Sequence, residues 1–86
     1  MTEYVILFAR SAERELLGLP ANVVNRIQPR IRTLAENPRP AGCRKLVGEK
    51  NLWRIRIGDY RVLYSVYDSD RIIKILGVRH RSEPYE

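Results

Sequence analysis

The sequence predicts an α+β fold in which two helices pack on one face of a largely antiparallel four-stranded sheet. A short apolar run near the N-terminus is followed by two helical patterns, and the second half of the chain alternates apolar and polar residues around two turns. The predicted order is strand, helix, helix and then three strands, which is typical of helices covering one face of a sheet. We expect residues 1–86 to form a single domain, because this length supports one modest core.

The first strand is predicted at Tyr4–Phe8, where "YVILF" is short, apolar and rich in strand-forming residues. A run that is apolar at every position predicts burial on both faces of the sheet. Ser11 fits the N-cap of the first helix. This helix is expected to end near Leu17, because Gly18 and Pro20 follow it.

The second helix is predicted by a single apolar stripe at positions i, i+3, i+7 and i+10, formed by Val24, Ile27, Ile31 and Leu34. Pro29 lies inside this pattern and removes one backbone donor, which predicts a kink. The segment "ENPRPAG" at 36–42 is expected to be a connector, since two prolines within three residues prevent the helix from continuing.

Strands are predicted at about 52–57, 60–67 and 71–79, after a basic extended stretch at 45–47. If Gly58-Asp59 is a two-residue hairpin loop, Arg56 lies directly opposite Arg61 and the apolar residues of both strands share the other face. A three-residue loop at 68–70 would place Arg61 opposite Gly77 and keep the apolar sides together.

With that register, five arginines converge on the polar side of the sheet: Arg54, Arg56, Arg61, Arg79 and Arg81. Like charges directly opposite each other cost up to ~1 kcal/mol per pair. A bound polyanion would make the electrostatic interaction of these arginines favourable. The small residues Gly77 and Ser65 on this face would leave a hollow for a phosphate. The alternative is that exposed sheet faces commonly carry Arg, whose stem covers apolar neighbours.

Composition supports a polyanionic partner. The formal net charge is +6, and thirteen of the sixteen Lys and Arg residues are Arg, whose planar guanidinium matches phosphate oxygens. A basic surface could also serve solubility or an acidic protein partner. No apolar run is long enough for a membrane span and no signal-peptide pattern is present, so we expect a cytoplasmic protein. The lone Cys43 favours an ordinary thiol, and we expect neither a metal nor a cofactor.

Three segments resemble the RelE/ParE superfamily of bacterial toxins: "LPANVVNRI" at 19–27, "KLVGEKNLWRIRIGDYRVLY" at 45–64 and "VRHRSEPY" at 78–85. The Arg-rich tail that ends in tyrosine is similar to the RelE-like branch. This resemblance implies a RelE-like fold and a toxin of a type II toxin-antitoxin system. It further implies ribosome-dependent cleavage of mRNA in the A site, by attack of a ribose 2'-hydroxyl on its own 3'-phosphate, which inhibits translation.

The resemblance also implies the catalytic residues, which are Arg54, Arg56, Arg61, Arg79 and Tyr85. The first three would hold the phosphate, Arg79 would neutralise or protonate the leaving oxygen, and Tyr85 would stack on a base and orient the 2'-hydroxyl. The best-known RelE-type pattern has lysines where this chain has Arg54 and Arg56. A guanidinium with a pKa above about 12 is poorly suited to act as a base.

Other residues are predicted to contribute around this centre. Arg44, Lys45 and Arg81 are expected to bind RNA. His80 could transfer a proton, since the unperturbed pKa of a histidine is about 6.5. Strict alternation nevertheless turns His80 away from Arg79 and Arg81, so structural packing is the alternative.

The resemblance implies three partners: a cognate antitoxin, the ribosome and mRNA. A helical segment of the antitoxin would pack on the toxin in a hetero-oligomer and block or distort the basic site. Two alternatives remain open from the sequence. One is a ParE-like toxin that inhibits DNA gyrase without nuclease activity, and the other is an inactive basic module that only binds RNA or protein.

Overall fold

The computed structural model describes residues 3–83, and within that range the chain forms two helices and a five-stranded sheet. The elements in chain order are β1 (Val5–Phe8), α1 (Arg10–Leu17), α2 (Ala21–Thr33), β2 (Arg44–Lys45), β3 (Trp53–Ile57), β4 (Tyr60–Tyr67) and β5 (Ile72–His80). The predicted α+β class and element order are confirmed. The sheet has one strand more than predicted, because the basic stretch before β3 pairs with it as β2.

The strand order across the sheet is β1-β5-β4-β3-β2. β1 runs parallel to β5, and every other neighbouring pair is antiparallel. Both helices contribute to one apolar core on the same face of the sheet, as predicted. The buried helix residues are Ala12, Leu16, Ile27 and Ile31. Together with Leu34, which follows α2, they pack with strand residues that include Ile55, Val62, Tyr64, Ile73 and Ile75.

The first strand is not buried on both faces. β1 is an edge strand, so one side of its backbone has no strand neighbour, and Val5, Leu7 and Phe8 are exposed. The uniform apolar run does not distinguish a central strand from an edge strand, because position in the sheet is set by tertiary packing. Among the described residues, no helix has the length and apolar character needed to span a membrane.

The first helix begins earlier than predicted. Ala9 rather than Ser11 is the N-cap of α1, and it caps without a side-chain hydrogen bond. The Ala9 amide still donates to the Ile75 carbonyl at 2.9 Å, while the Ala9 carbonyl already accepts from the Glu13 amide at 3.0 Å. The chain therefore passes from the sheet into the helix at one residue, which leaves no place for a cap at Ser11.

The second helix confirms the predicted apolar stripe. Ile27, Ile31 and Leu34 are buried, and Val24 is half-buried. α2 continues through Pro29, which is exposed. The predicted kink at Pro29 stays a prediction.

The first hairpin has the predicted register. Arg56 lies opposite Arg61 and Ile55 lies opposite Val62. The turn requires Gly58, whose φ of 61° lies in the left-handed region that most side chains avoid.

The second hairpin corrects the predicted register. Its loop spans four residues, 68–71, rather than three, because Arg71 adopts a φ of 57° and is not part of β5. Leu63 pairs with Gly77 while the next residue, Tyr64, pairs with Ile75, so Leu76 is an extra residue on β5. This β-bulge changes which β5 side chains face the helices. Arg61 consequently lies opposite Arg79 rather than opposite Gly77.

A polar network on the surface links three segments that are distant in sequence. The Tyr4 hydroxyl donates to the Asp68 carboxylate at 2.6 Å, and the Arg39 guanidinium donates to both oxygens of the same carboxylate at 2.9 and 3.3 Å. The Arg39 guanidinium also lies 5.0 Å from the centre of the Trp53 ring. The hydrogen bonds from Arg39 and then from Tyr4 lower the pKa of Asp68 to about 2.

This network predicts how stability responds to acid. A depressed carboxyl pKa stabilises the folded state above the ordinary value of 3.8, and the contribution is lost as the pH falls through about 2. We expect Asp68→Asn to be less stable than the parent protein at pH 6, and the difference to shrink between about pH 4 and about pH 2. Urea unfolding at each pH measures it, with Asp70→Asn in the same loop as the charge-matched control. A difference that is independent of pH would contradict the assignment.

Candidate nucleic-acid site

The predicted arginines form two neighbouring rows on the sheet face opposite the helices. One row runs across three strands through Arg56, Arg61 and Arg79, which are directly paired. In the adjacent row, Arg44 lies opposite Arg54, and Arg54 lies opposite Leu63. Leu63 in turn lies opposite Gly77. Because directly opposite residues in antiparallel strands have Cα atoms about 5 Å apart, the first row places three cationic residues side by side on neighbouring strands. Within the second row, Arg54 and Leu63 are buried.

Arg61 is the central member of the first row and is 8% exposed. Its Nη1 donates to the Arg81 carbonyl at 3.1 Å, and its Nη2 donates to the Glu83 carbonyl. The segment after β5 therefore folds back over the row, and its backbone oxygens accept hydrogen bonds from both terminal nitrogens of a buried guanidinium. The Arg81 amide donates to the Asp59 carbonyl at 2.7 Å, so the same segment also closes on the β3–β4 turn.

Arg79 is bound in a different way from Arg61. Its Nη1 forms an ion pair with a carboxylate oxygen of Glu15 in α1. Its guanidinium lies over Gly77, where an added Cβ would be 2.8 Å from Nη1 and 3.2 Å from Cζ. The predicted hollow for a phosphate beside Gly77 and Ser65 is therefore wrong, because the Arg79 side chain fills the space at Gly77 and Ser65 is 6% exposed.

A small polar hollow of about 220 Å³ lies next to the arginine row. Its lining residues come from the end of β3, the β3–β4 turn, the start of β4 and the C-terminal segment, and they are Arg56, Gly58, Asp59, Tyr60, Arg61 and Arg81. Arg56 and Arg81 are exposed there, while Asp59 is within 3.8 Å of the Arg81 Nε. Exposed guanidinium groups around a concave surface are suited to bind a phosphate group.

The two basic residues of β2 point to opposite faces of the sheet. Arg44 is paired with Arg54 and shares its face, whereas Lys45 is paired with Trp53 on the helix side. Both also line a more apolar hollow of about 530 Å³ at this sheet edge, together with Leu46, Val47, Glu49, Leu52 and Arg54. The structure thus brings Arg44 to the arginine surface and leaves Lys45 at its border.

His80 lies on the helix-side face, as strict alternation indicated. Its ring packs edge-on against Tyr60, with the ring centres 5.2 Å apart. Its Nδ1 lies 2.9 Å from the Ser82 hydroxyl and accepts from the Ser82 amide at 3.3 Å. These contacts describe a histidine that shapes the turn after β5. Tyr85 lies outside the described residues.

Two residues at this site were missed by the sequence interpretation. Glu15 reaches the edge of β5 from α1, and Arg26 of α2 packs its guanidinium against Gly58, where an added Cβ would collide with it. Neither contact has a local sequence signal, because each joins a helix to a strand or turn more than thirty residues away.

The contacts of Arg61 predict that it holds the C-terminal segment in place. A lysine at position 61 cannot donate to two carbonyls with the fixed fork of a guanidinium. In Arg61→Lys we expect the amide protons of Arg81 and Glu83 to exchange about tenfold faster, equivalent to ~1.4 kcal/mol of local opening. Hydrogen exchange followed by NMR measures this, with the exposed Arg56→Lys as control. Equal exchange in the two variants would contradict the role.

Comparisons with known proteins agree with this fold. The family model described as "ParE toxin of type II toxin-antitoxin system, parDE" matches residues 6–85. A candidate toxin of Methanocaldococcus jannaschii, RelE1, is 34% identical over an alignment of 76 residues, and the match covers 85% of this chain and 84% of that protein.

Solved structures agree as well. The archaeal RelE-RelB complex from Pyrococcus horikoshii contains a chain with 34% identity and a TM-score of 0.82, and the match covers 98% of this chain and 100% of that chain. The RelBE2 toxin-antitoxin complex from Mycobacterium tuberculosis gives 28% identity and a TM-score of 0.83, with 96% and 97% covered. The protein therefore belongs to the ParE toxin family of type II toxin-antitoxin systems, within the RelE/ParE superfamily, and is a RelE-like toxin.

Proposed function

We propose that this toxin is a ribosome-dependent endoribonuclease that cleaves mRNA in the ribosomal A site and so inhibits translation. The observation that carries the proposal is the cross-strand row of Arg56, Arg61 and Arg79 beside a hollow of about 220 Å³. A row of like charges is unfavourable by itself, and RNA phosphates supply the opposite charge. The similar proteins are named as RelE toxins. The sequence resemblance to RelE-like toxins implies this activity.

In the proposed reaction, the 2'-oxygen of a ribose attacks its own 3'-phosphorus and loses its proton. The bond from phosphorus to the 5'-oxygen breaks, and that oxygen gains a proton. The products are a 2',3'-cyclic phosphate and a 5'-hydroxyl. Guanidinium groups suit two requirements of this step, which are holding the phosphate in line and stabilising the charge that develops on its oxygens.

The residues divide between direct contact and support. Arg56 and Arg81 are exposed at the hollow and would contact the RNA backbone directly. Arg61 and Arg54 are each 8% exposed, so they would act at the floor of the site. Arg44 would extend the surface across β2, and Lys45 would contribute from its border. Arg79 would neutralise the leaving oxygen, and Tyr85 would stack on a base.

We also propose that the partners are mRNA, the ribosome and a cognate antitoxin. The similar structures from P. horikoshii and M. tuberculosis are toxin-antitoxin complexes. The exposed apolar side chains of the edge strand β1, which are Val5, Leu7 and Phe8, support a protein partner in a hetero-oligomer, since soluble proteins seldom leave such an edge uncovered.

A second candidate function is inhibition of DNA gyrase. The description of the matching family model, which names ParE toxins, favours it. The two functions differ in their products, because a gyrase inhibitor leaves mRNA intact and produces gyrase-dependent DNA breaks. Both products can be measured with the same purified protein.

The proposed nuclease predicts that Arg56 is required for cleavage. We expect Arg56→Gln to lower the single-turnover rate on ribosome-bound mRNA by at least about tenfold, equivalent to ~1.4 kcal/mol, because it removes an exposed cation from the hollow. Mapping of mRNA 3' ends with and without ribosomes measures both rate and position.

The matched control for this prediction is Arg30→Gln, which removes one exposed cation from α2 instead. Equal losses in the two variants would contradict a specific role for Arg56. Ribosome-independent cleavage, or intact mRNA together with DNA breaks in the presence of gyrase, would overturn the proposed function itself.

The position of His80 predicts that it does not transfer the proton. Because His80 faces Tyr60 and the Ser82 turn, we expect His80→Gln to keep the cleavage rate within about threefold and to leave its dependence on pH between 6 and 8 unchanged. Single-turnover rates at several pH values test this. A rate that loses its pH dependence in the variant would assign the proton transfer to His80.

A further inference from the structure

The carboxylate of Glu15 binds two groups of β5 from the side. One oxygen accepts a hydrogen bond from the Val78 amide at 3.0 Å, and the other forms the ion pair with Arg79. This part of β5 extends beyond the end of β1, whose last residue, Phe8, is paired with Ile75. Glu15 therefore replaces a missing strand neighbour and binds a cation of the arginine row at the same time. The side chains of Glu15 and Arg79 are 33% and 18% exposed.

The ion pair holds Arg79 away from the hollow that the other arginines line. Its guanidinium lies over Gly77, in the direction of α1, and among the described residues the lining of the hollow does not include Arg79. Its row partners Arg56 and Arg61 do line the hollow. The side chain is thus turned away from the position at which a bound phosphate would meet its neighbours.

A carboxylate and a phosphate present the same kind of acceptor to a guanidinium, so they compete for it. We propose that Glu15 is an internal competitor, which binds Arg79 in the absence of RNA and must be replaced by an RNA phosphate before Arg79 reaches the hollow. Glu15 is accordingly a positioning residue that acts through Arg79. The inference rests on the proposed function in taking RNA as the polyanion.

The geometry allows this exchange without unfolding of the edge. The bond between Glu15 and the Val78 amide does not involve Arg79, so the carboxylate keeps a partner after Arg79 leaves. The flexible end of the Arg79 side chain is the part that moves, while its Cα stays paired with Arg61.

The experiment compares Glu15→Gln with Glu13→Gln. Both variants remove one negative charge from α1, Glu13 is exposed, and a glutamine at position 15 can still accept from the Val78 amide. The probe is a fluorescein-labelled single-stranded RNA oligonucleotide at fixed salt, without ribosomes. We expect Glu15→Gln to bind roughly threefold more tightly than Glu13→Gln, because Arg79 is released from its ion pair.

The same comparison is repeated with Arg79→Gln in both proteins. The gain from Glu15→Gln should then disappear, because the residue through which it acts is gone. Equal affinities of Glu15→Gln and Glu13→Gln, or a gain that persists without Arg79, would overturn the inference.

A second variant, Gly77→Ala, tests the release of Arg79 without a change in charge. It decides the question if Glu15→Gln does not fold. An alanine Cβ at position 77 would displace the end of the Arg79 side chain from its place beside Glu15. Gly77→Ala should therefore also bind RNA more tightly, and the gain should again require Arg79. If Glu15→Gln is unfolded and Gly77→Ala binds no more tightly than the parent protein, the inference is wrong.

The outcome is separate from that of the proposed function. An Arg79-dependent gain in a protein that does not cleave ribosome-bound mRNA would overturn the nuclease proposal and leave the competition by Glu15 intact. If Glu15→Gln leaves the RNA affinity unchanged in a protein that cleaves ribosome-bound mRNA, the competition by Glu15 is overturned and the nuclease proposal remains intact.

Discussion

The β-bulge at Leu76 determines both the core and the arginine surface. Before the bulge, the odd-numbered residues Ile73 and Ile75 face the helices, and after it the even-numbered Val78 does so. A strand with strict alternation would have placed either Val78 or the two isoleucines on the polar face. The extra residue resolves this conflict, and it also brings Arg79 opposite Arg61. Burial of apolar side chains therefore sets the register that assembles the cationic row.

A cluster of this charge is compatible with folding because most of its members have acceptors within the chain. Arg61 donates to two backbone carbonyls, Arg79 pairs with Glu15, and Arg81 lies close to Asp59. These contacts differ in strength. The bonds of Arg61 are buried, and a buried guanidinium without acceptors would cost several kcal/mol. The pair between Arg81 and Asp59 is exposed and contributes little.

Patterns that depend on neighbouring residues were predictable from the sequence. The apolar stripe of α2 and the first hairpin around Gly58 were predicted because helical periodicity and a two-residue turn are local signals. The register of the second hairpin was not, because it depends on Arg71 in a left-handed conformation, which residues other than glycine seldom adopt. Loops of three and of four residues look alike in sequence, but the difference of one residue shifts every cross-strand pair of the hairpin.

The arginines that share the polar face were predictable from the sequence, but their contacts with other elements were not. The pairing of Arg56 with Arg61 followed from strand alternation, and the structure confirms it. The acceptor of Arg79 could not be found in this way, because Glu15 belongs to α1 and meets β5 only through the tertiary packing of a helix on a sheet edge. Sequence patterning describes which cations share a face. It does not describe which anions from other elements neutralise them.

The chemistry of the arginine row accounts for a dependence on the ribosome in the proposed reaction. Guanidinium groups stabilise negative charge and hold a phosphate, but they do not remove a proton from the attacking hydroxyl. A site of this kind accelerates cleavage only when the 2'-oxygen already lies in line with the bond that breaks, since flexible single-stranded RNA seldom adopts that geometry. An RNA held by the ribosome would supply the alignment, and the toxin would supply the charge. If the ribosome aligns the RNA and the toxin supplies the charge, the hollow must be shallow and exposed, because the toxin approaches an RNA that is already bound to the ribosome.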